Sequence, residues 1–330
     1  MSQAIIAIDT SCDDTSAAVV CGGSEVLSNV VSGQNQVHER FGGIVPELAA
    51  RRHLEIIGGV VDEALTSAAI SFGAVSAIAV CKGPGLIGSL IVGTAFAKAL
   101  AYVRKLPLIG VNHLEGHICS AFLKEGGPPE LPFISLVVSG GHTSLYRVDS
   151  RGKYRELGRS RDDAAGEAYD KVAKMLGLGF PGGPIIDRLA HNGNPRAVPF
   201  PRAYMPQTLD FSFSGLKTSV RSFIANNASN ISVEDICASF QAAVIDVLIR
   251  KIEWATAQEN ITSVALSGGV AANDGLRQRI TRLTGIETYV PPKPLCTDNA
   301  AMIGAAAYEQ FLKGNFADLR LNPKAYLPVG

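Results

Sequence analysis

The sequence is poor in the features that mark secreted, membrane-bound or nucleic-acid-gripping proteins. Its six cysteines (Cys12, Cys21, Cys81, Cys119, Cys237 and Cys296) lie far apart with no CxxC pair. That argues against a zinc ribbon or a disulfide scaffold and suits a reducing compartment. No apolar run approaches the about 20 uninterrupted residues of a bilayer helix. The most apolar stretch, Ser76–Val103, is broken by Lys82, Gly83, Pro84, Gly85, Gly88, Gly93 and Lys98. The N-terminus has no basic region ahead of its short apolar run Ile5–Ile8, so no signal peptide is expected. Net charge is absent too, with 30 basic and 30 acidic residues, which speaks against a chain that grips nucleic acid unaided. No GxxxxGK[ST] phosphate loop, low-complexity segment or flexible linker occurs. The expectation is a cytoplasmic protein with no membrane segment.

What is present is apolar bulk. The 330 residues are 47% hydrophobic and only 18% charged, with a mean hydropathy of +0.19. Parallel strands covered on both faces produce this balance, and the length suits two packed α/β domains. The charge is not evenly spread. Arg151–Arg221 holds 12 Lys and Arg against 7 Asp and Glu, an excess of five positive charges. A solvated helical face and a polyanion-facing patch both fit that excess.

The order of segments repeats. Ile5–Asp9, the polar turn Thr10–Thr15 and Ser16–Cys21 read as strand, turn, strand, and so do Phe133–Val138, Ser139–Thr143 and Ser144–Val148. The strand Val75–Val80 leads through Lys82-Gly83-Pro84-Gly85 into the helical run Leu86–Val103. Likewise Ile261–Leu266 leads through Ser267-Gly268-Gly269 into Val270–Leu283. The pattern predicts an internally duplicated α/β fold. Its lobes are expected at 1–130 and 131–310, with a mostly helical insertion at about 154–258 in the second. The insertion contains Gly179–Pro184, the polar turn Asp210–Lys217 and an irregular, proline-rich stretch, His191–Met205.

Three kinds of segment carry chemistry. His113 and His117 follow a predicted strand, Pro107–Val111, with Asn112 as the natural N-cap. Their i, i+4 spacing places both imidazoles on one helix face, suited to one metal ion, although two polar helix residues would look the same. A zincin motif needs Glu directly after the first His; here Leu114 stands there and Glu115 is about 100° further round the helix. The loops Ser139-Gly140-Gly141 and Ser267-Gly268-Gly269 each follow an apolar strand, and glycine lets the backbone approach a phosphate or ribose. Two such loops in a duplicated fold point to a nucleotide between the halves. Carboxylates come third. Asp9, Asp13 and Asp14 flank the first turn, as metal or water holders or as an Asx-rich turn. Asp298 precedes an alanine-rich helix, where N-cap and third metal ligand are both open. Asp170 shares a helix face with Glu167 and Lys171, either salt-bridged or holding a ribose or amine.

Nine segments together resemble one family along nearly the whole chain. They are Asp9–Thr15, Phe41–Glu47, Asn112–His117, Val138–Thr143, Gly166–Lys171, Pro181–Pro184, Phe213–Thr218, Ser267–Asn273 and Pro294–Asp298. The family is the bacterial TsaD type of tRNA N(6)-adenosine threonylcarbamoyltransferase, once labelled O-sialoglycoprotein endopeptidase. The resemblance implies an actin-like ATPase (ASKHA) fold, two duplicated lobes around a cleft, with the tail 311–330 packing back on the first. It implies transfer of threonylcarbamoyl from threonylcarbamoyl-AMP to the exocyclic amine of the adenosine beside the anticodon, in tRNAs reading codons that start with A. It implies one Fe(II) or Zn(II) ion on His113, His117 and Asp298, with Mg and ATP or ADP as a further cofactor. Val137, Val138, Ser139, Gly140, Gly141, Asp170, Gly183, Asp187 and Asn273 become nucleotide-substrate contacts, with Ser267, Gly268 and Gly269 as a second loop. The implied partners are tRNA, a shorter actin-like paralogue of the TsaB type and a small ATPase of the TsaE type.

The first motif of the family usually begins with Glu, and here Asp9 is one methylene shorter. Val137 stands where the archaeal and eukaryotic branch has a Tyr ligand. A carboxylate, Asp9 or Asp13, is expected to accept the amine proton. The rivals are a metalloprotease, which lacks a base at the right offset, a small-molecule kinase of the same fold, and a non-catalytic scaffold, against which the histidine pair speaks.

Overall fold

Every residue of Ala4–Asp9 is buried, the condition of a strand covered on both faces. It forms β1, the centre of the first sheet in a computed structural model that describes residues 3–123, 127–227 and 231–329. β2 (Thr15–Cys21) pairs antiparallel with β1, and β3 (Glu25–Ser32) with β2. On the other side β4 (Val75–Gly83) and β5 (Leu108–Asn112) continue in parallel, giving the order β3-β2-β1-β4-β5. The second sheet has the same plan. β6 (Phe133–Val138) is central, β7 (Thr143–Ser150) and β8 (Lys153–Arg159) are antiparallel, and β9 (Ser263–Ser267) and β10 (Glu287–Tyr289) are parallel. The two sheets superpose in strand order and direction, so the duplication is a property of the backbone.

The short α1 (Asn35–Glu39) and the long α2 (Pro46–Ser67) connect β3 to β4, and α3 (Ile87–Arg104) connects β4 to β5. By length and composition α3 is apolar enough to cross a membrane. Here it packs on α2 and β4, and Lys98 on it donates to the Leu321 carbonyl at 3.0 Å. After β5 comes α4 (His113–Cys119). In the second half α5 (Ala165–Met175), α6 (Gly182–Ala190) and α7 (Ser214–Asn227) lead to α8 (Val233–Glu259); α9 (Asp274–Ile280), α10 (Lys293–Cys296) and α11 (Ala300–Leu312) follow β9 and β10.

Two boundaries differ from the sequence reading. The insertion expected at 154–258 is narrower. β8 is an edge strand hydrogen-bonded to β7, and its charged, largely exposed sequence KYRELGR concealed it. α8 occupies the place in the order that α2 has in the first half, so only α5–α7 and their loops are extra. The second difference is α11. Expected with the second lobe, it packs on β1, β2 and α4 of the first, where eight of its residues are buried. Beyond it the tail lies along the first sheet: Ala317 bridges Leu108, and Lys324 N donates to the Lys82 carbonyl.

Candidate functional site

Both parallel strands β5 and β6 end at the space between the sheets, where ligands sit in open α/β folds. At the end of β5, Asn112 caps α4: its Oδ1 accepts from Leu114 N at 2.9 Å, while its Nδ2 donates to the Leu327 and Pro328 carbonyls at 3.2 and 3.0 Å. One side chain thus sets the start of α4 and ties down the tail. His113 and His117 project from that first turn with ring centroids 4.7 Å apart. Gly116 between them lets α11 approach, since a Cβ there would stand 3.0 Å from Ile303 Cδ1 and 3.2 Å from Met302 Cγ.

This approach delivers Asp298. Its Oδ1 lies 3.2 Å from His117 Nε2 and 3.5 Å from His113 Nε2. The N-cap role open to Asp298 belongs instead to Asn299, whose Oδ1 accepts from Met302 N at 3.1 Å. His117 is fully buried: its Nδ1 has no hydrogen-bond partner among the described residues, and its Nε2 faces only the Asp298 carboxylate without forming a well-aligned hydrogen bond, a costly arrangement for a polar side chain. Four ligands at about 2.1 Å from a tetrahedral ion stand about 3.4 Å from one another, so the three side chains fit one divalent metal. Asp298 is 25% exposed while His117 is fully buried, so the centre opens on the carboxylate side.

In the metal-free cluster the charge states follow from burial and from these contacts. Burial disfavours the His117 imidazolium and lowers its pKa. Burial opposes charge at Asp298 also, but His113 and His117 outweigh it and keep the carboxylate ionised, well below its ordinary range. Burial likewise opposes charge on His113, but Asp298 and Asp9 raise it. His142, in the turn after β6, is driven down to about 4 by burial and by His113 and His117, so it is neutral beside them.

The glycine turns occupy the second wall. Ser139 closes its loop with His142 through Ser139 N to the His142 carbonyl at 2.7 Å and His142 N to Ser139 Oγ at 3.1 Å. Gly140 and Gly141 have open space where a Cβ would be. Val137 and Val138, expected as contacts, turn their side chains into the core, leaving only their backbone for a ligand. The second loop lies beside the first because Val137 pairs with Ser267. Gly268 has φ +92°, and its Cβ would meet the Val138 carbonyl at 2.3 Å.

Gly140, Asp170, Gly183, Asp187, Gly269 and Asn273 line one cavity of about 790 Å³. Asp170 Oδ1 accepts from Gly182 N at 2.8 Å. Gln241 ties the far wall: it donates to Asp187 Oδ1 at 3.0 Å and accepts from Asn273 Nδ2 at 2.7 Å. Nothing in the sequence singled Gln241 out, because it sits mid-helix in α8. Thr297, the neighbour of Asp298, also lines the cavity, which places its wall one residue from the three-residue cluster.

The remaining acidic residues divide. Asp9 is 1% exposed and lies behind His113, with Oδ2 3.4 Å from Nδ1, so its carboxylate is turned to that ring rather than to open space. Asp13 is half-buried and its charge reaches Asp170 across the cavity, where burial raises the Asp170 carboxyl. Asp14 is pushed up to about 7 by burial and by Asp13, Asp298 and Asp9. Burial raises the Glu115 carboxyl against the opposing charge of Lys82, and Glu115 is not part of the His113, His117 and Asp298 cluster. In the basic segment 151–221, Arg161 pairs with Asp210 and Lys171 and Lys217 with Asp163; Arg188 lines the cavity.

Fold and site define a two-lobed α/β protein of the actin-like class, with a cavity of about 790 Å³ and a three-residue cluster able to hold a metal ion. Of the solved structures that share the fold, HypF of T. kodakarensis aligns with a TM-score of 0.63 at 14% identity, covering 96% of this chain and 49% of that one. Component A of the Acidaminococcus fermentans (R)-2-hydroxyglutaryl-CoA dehydratase aligns at 0.57 and 15% identity, covering 94% and 99%. By sequence, residues 25–305 match the family TsaD: tRNA N6-adenosine threonylcarbamoyltransferase. The protein of that name from Thermodesulfovibrio yellowstonii is 56% identical over 98% of this chain and 99% of its own. The one from Moorella thermoacetica is 52% identical over 98% and 97%. The chain belongs to the TsaD family.

Proposed function

We propose that this protein transfers the threonylcarbamoyl group from threonylcarbamoyl-AMP to the exocyclic amine of the adenosine beside the anticodon, in tRNAs reading codons that start with A. The observation that carries this reading is the His113, His117 and Asp298 cluster together with a cavity lined by Gly140 and Gly269 of the two glycine loops and by Thr297, the neighbour of Asp298. The adenylate lies in the cavity, with Gly140, Gly141 and Gly269 amides towards its phosphate and Asp170, Gly183, Asp187 and Asn273 around its nucleoside. A bond forms from the amine nitrogen to the carbamoyl carbon, the bond from that carbon to the phosphate oxygen breaks, and AMP leaves with the electron pair. An Fe(II) or Zn(II) ion held by His113, His117 and Asp298 supplies Lewis-acid stabilisation of charge on the acyl oxygen. Asp13, half-buried where Asp9 is only 1% exposed, accepts the proton from nitrogen.

The two lobes divide near residue 130, with α11 and the tail joined to the first. Exposed cations of segment 151–221, Arg188 among them, face the tRNA. A TsaB-type paralogue and a TsaE-type ATPase complete the cytoplasmic machinery, with Mg and ATP or ADP serving that assembly. Reconstitution with threonylcarbamoyl-AMP, tRNA and these partners, read by mass spectrometry of the nucleosides, tests the reading. His113→Ala is expected to keep the fold and lose modification. Full modification by metal-depleted His113→Ala defeats it.

A further inference from the structure

His113 presents two edges to two different environments. Its Nε2 faces Asp298 at 3.5 Å. Its Nδ1 faces a closed pocket at the end of β1, where Ser11 Oγ stands at 3.1 Å and Asp9 Oδ2 at 3.4 Å. Asp9 Oδ1 is committed to Ser11 N at 2.9 Å. Asp9 Oδ2 is buried and has no hydrogen bond among the described residues. A buried carboxylate oxygen without a donor is costly, and the His113 ring nitrogen beside it can donate.

We propose that Asp9 is the positioning residue of the metal centre: its Oδ2 accepts a hydrogen bond from Nδ1–H of His113, which fixes the ring and the tautomer that leaves the Nε2 lone pair for the ion. The inference rests on the metal reading above and goes beyond it by assigning the partner behind the ligand. Metal-bound imidazoles are oriented in this way by a carboxylate on their other nitrogen. The neighbouring fold supports it. β1 is the central strand of its sheet and Asp9 its last residue, so the carboxylate is anchored by the most rigid element available. The aspartate is short, and Ser11 fills the space beside it, touching the same nitrogen.

A competing arrangement exists. Asp9, Cys81 and His113 also bring three ligand atoms within 4.8 Å of one another. All three are buried, Cys81 completely, so an ion there has no open position for a substrate oxygen.

The full-length chain and its Asp9→Asn and Asp9→Glu variants are titrated with Zn(II) against a chromogenic chelator and, separately, loaded with Co(II) for visible spectra. Asp9→Asn is expected to weaken zinc about 10- to 100-fold and to change the cobalt spectrum, while AMP binding holds. Asp9→Glu, which restores a carboxylate, is expected to weaken zinc less than Asp9→Asn does. In the zinc form of the unmodified protein, nitrogen NMR should find His113 protonated at Nδ1 and metallated at Nε2, a readout that does not depend on how any variant folds. Unchanged zinc affinity in folded Asp9→Asn, metallation at Nδ1, or a cobalt–thiolate band abolished by Cys81→Ala each overturns the assignment. An unmodified chain that binds no zinc or cobalt overturns the metal reading itself, and the assignment with it.

Discussion

Asp298 stands 3.2 Å from His117 Nε2 because its neighbour Asn299 takes the helix cap. Asn299 also donates to the Thr297 carbonyl at 2.7 Å, so one buried amide holds the whole turn in which the ligand sits. The same device opens α4, where Asn112 caps the helix that carries the two histidines. Each half of the centre is therefore set by an asparagine next to a ligand.

Asn299→Ala is expected to cost about 1 kcal/mol of stability, the usual loss for an N-cap. It should also weaken zinc binding by more than the lost stability accounts for, because Asp298 loses its fixed approach. Thermal melts with and without zinc measure both; a lower melting temperature with unaltered zinc affinity would separate the cap from the ligand.

Gly166→Ala should damage the nucleotide site and spare the metal. A Cβ at 166 would stand 2.5 Å from the Ser139 carbonyl and 2.7 Å from Gly140 Cα, so the loop must shift. Overpacking of this kind costs about 1–3 kcal/mol, and AMP affinity is expected to fall about tenfold or more. Calorimetry with AMP and with zinc on the same preparation checks it, and equal AMP affinity counts against placing the nucleotide on this loop.

Gln241→Leu removes the bridge between Asp187 and Asn273 without touching the ligand. Both partners are at most 8% exposed, so each lost hydrogen bond leaves a buried polar atom, at about 1–3 kcal/mol apiece. Weaker AMP binding with unchanged zinc affinity is the expected pattern. Unchanged AMP binding would mean that this wall does not meet the nucleoside.

Asp14 makes the metal-free protein sensitive to pH. Its carboxyl is raised to about 7 from an ordinary 3.8, chiefly by burial. The native state then holds the proton more tightly than the unfolded chain, so ionising Asp14 penalises folding. The penalty is absent below the unfolded value, grows between about 4 and 7, and is complete above that window. Asp14→Asn is expected to raise the melting temperature at about pH 8, and to raise it less at about pH 5. Identical melting temperatures at the higher pH rule the effect out.

Local patterns carried much of the architecture. Uniformly apolar stretches became β1 and β6, the i, i+4 histidines lay on one helix face, and the asparagine before them capped it; each depends on neighbours within one turn or one strand. β8 escaped because an exposed edge strand need not be apolar, and α8 was assigned to the insertion because a helical period does not say which sheet a helix covers. The acidic residues show the limit most clearly. Asp9, Asp13 and Asp14 are alike in sequence, yet Asp9 ends inside the core behind His113 while the other two are only half-buried. For Asp298 the roles of cap and ligand were both open on paper. Its turn towards the histidines was decided by the packing of α11 on α4 across Gly116, and Gln241 acquired its partners only when α8 was laid against α6 and α9. Residue type and short-range spacing fixed the elements; burial and contacts between distant segments assigned the side chains their chemistry.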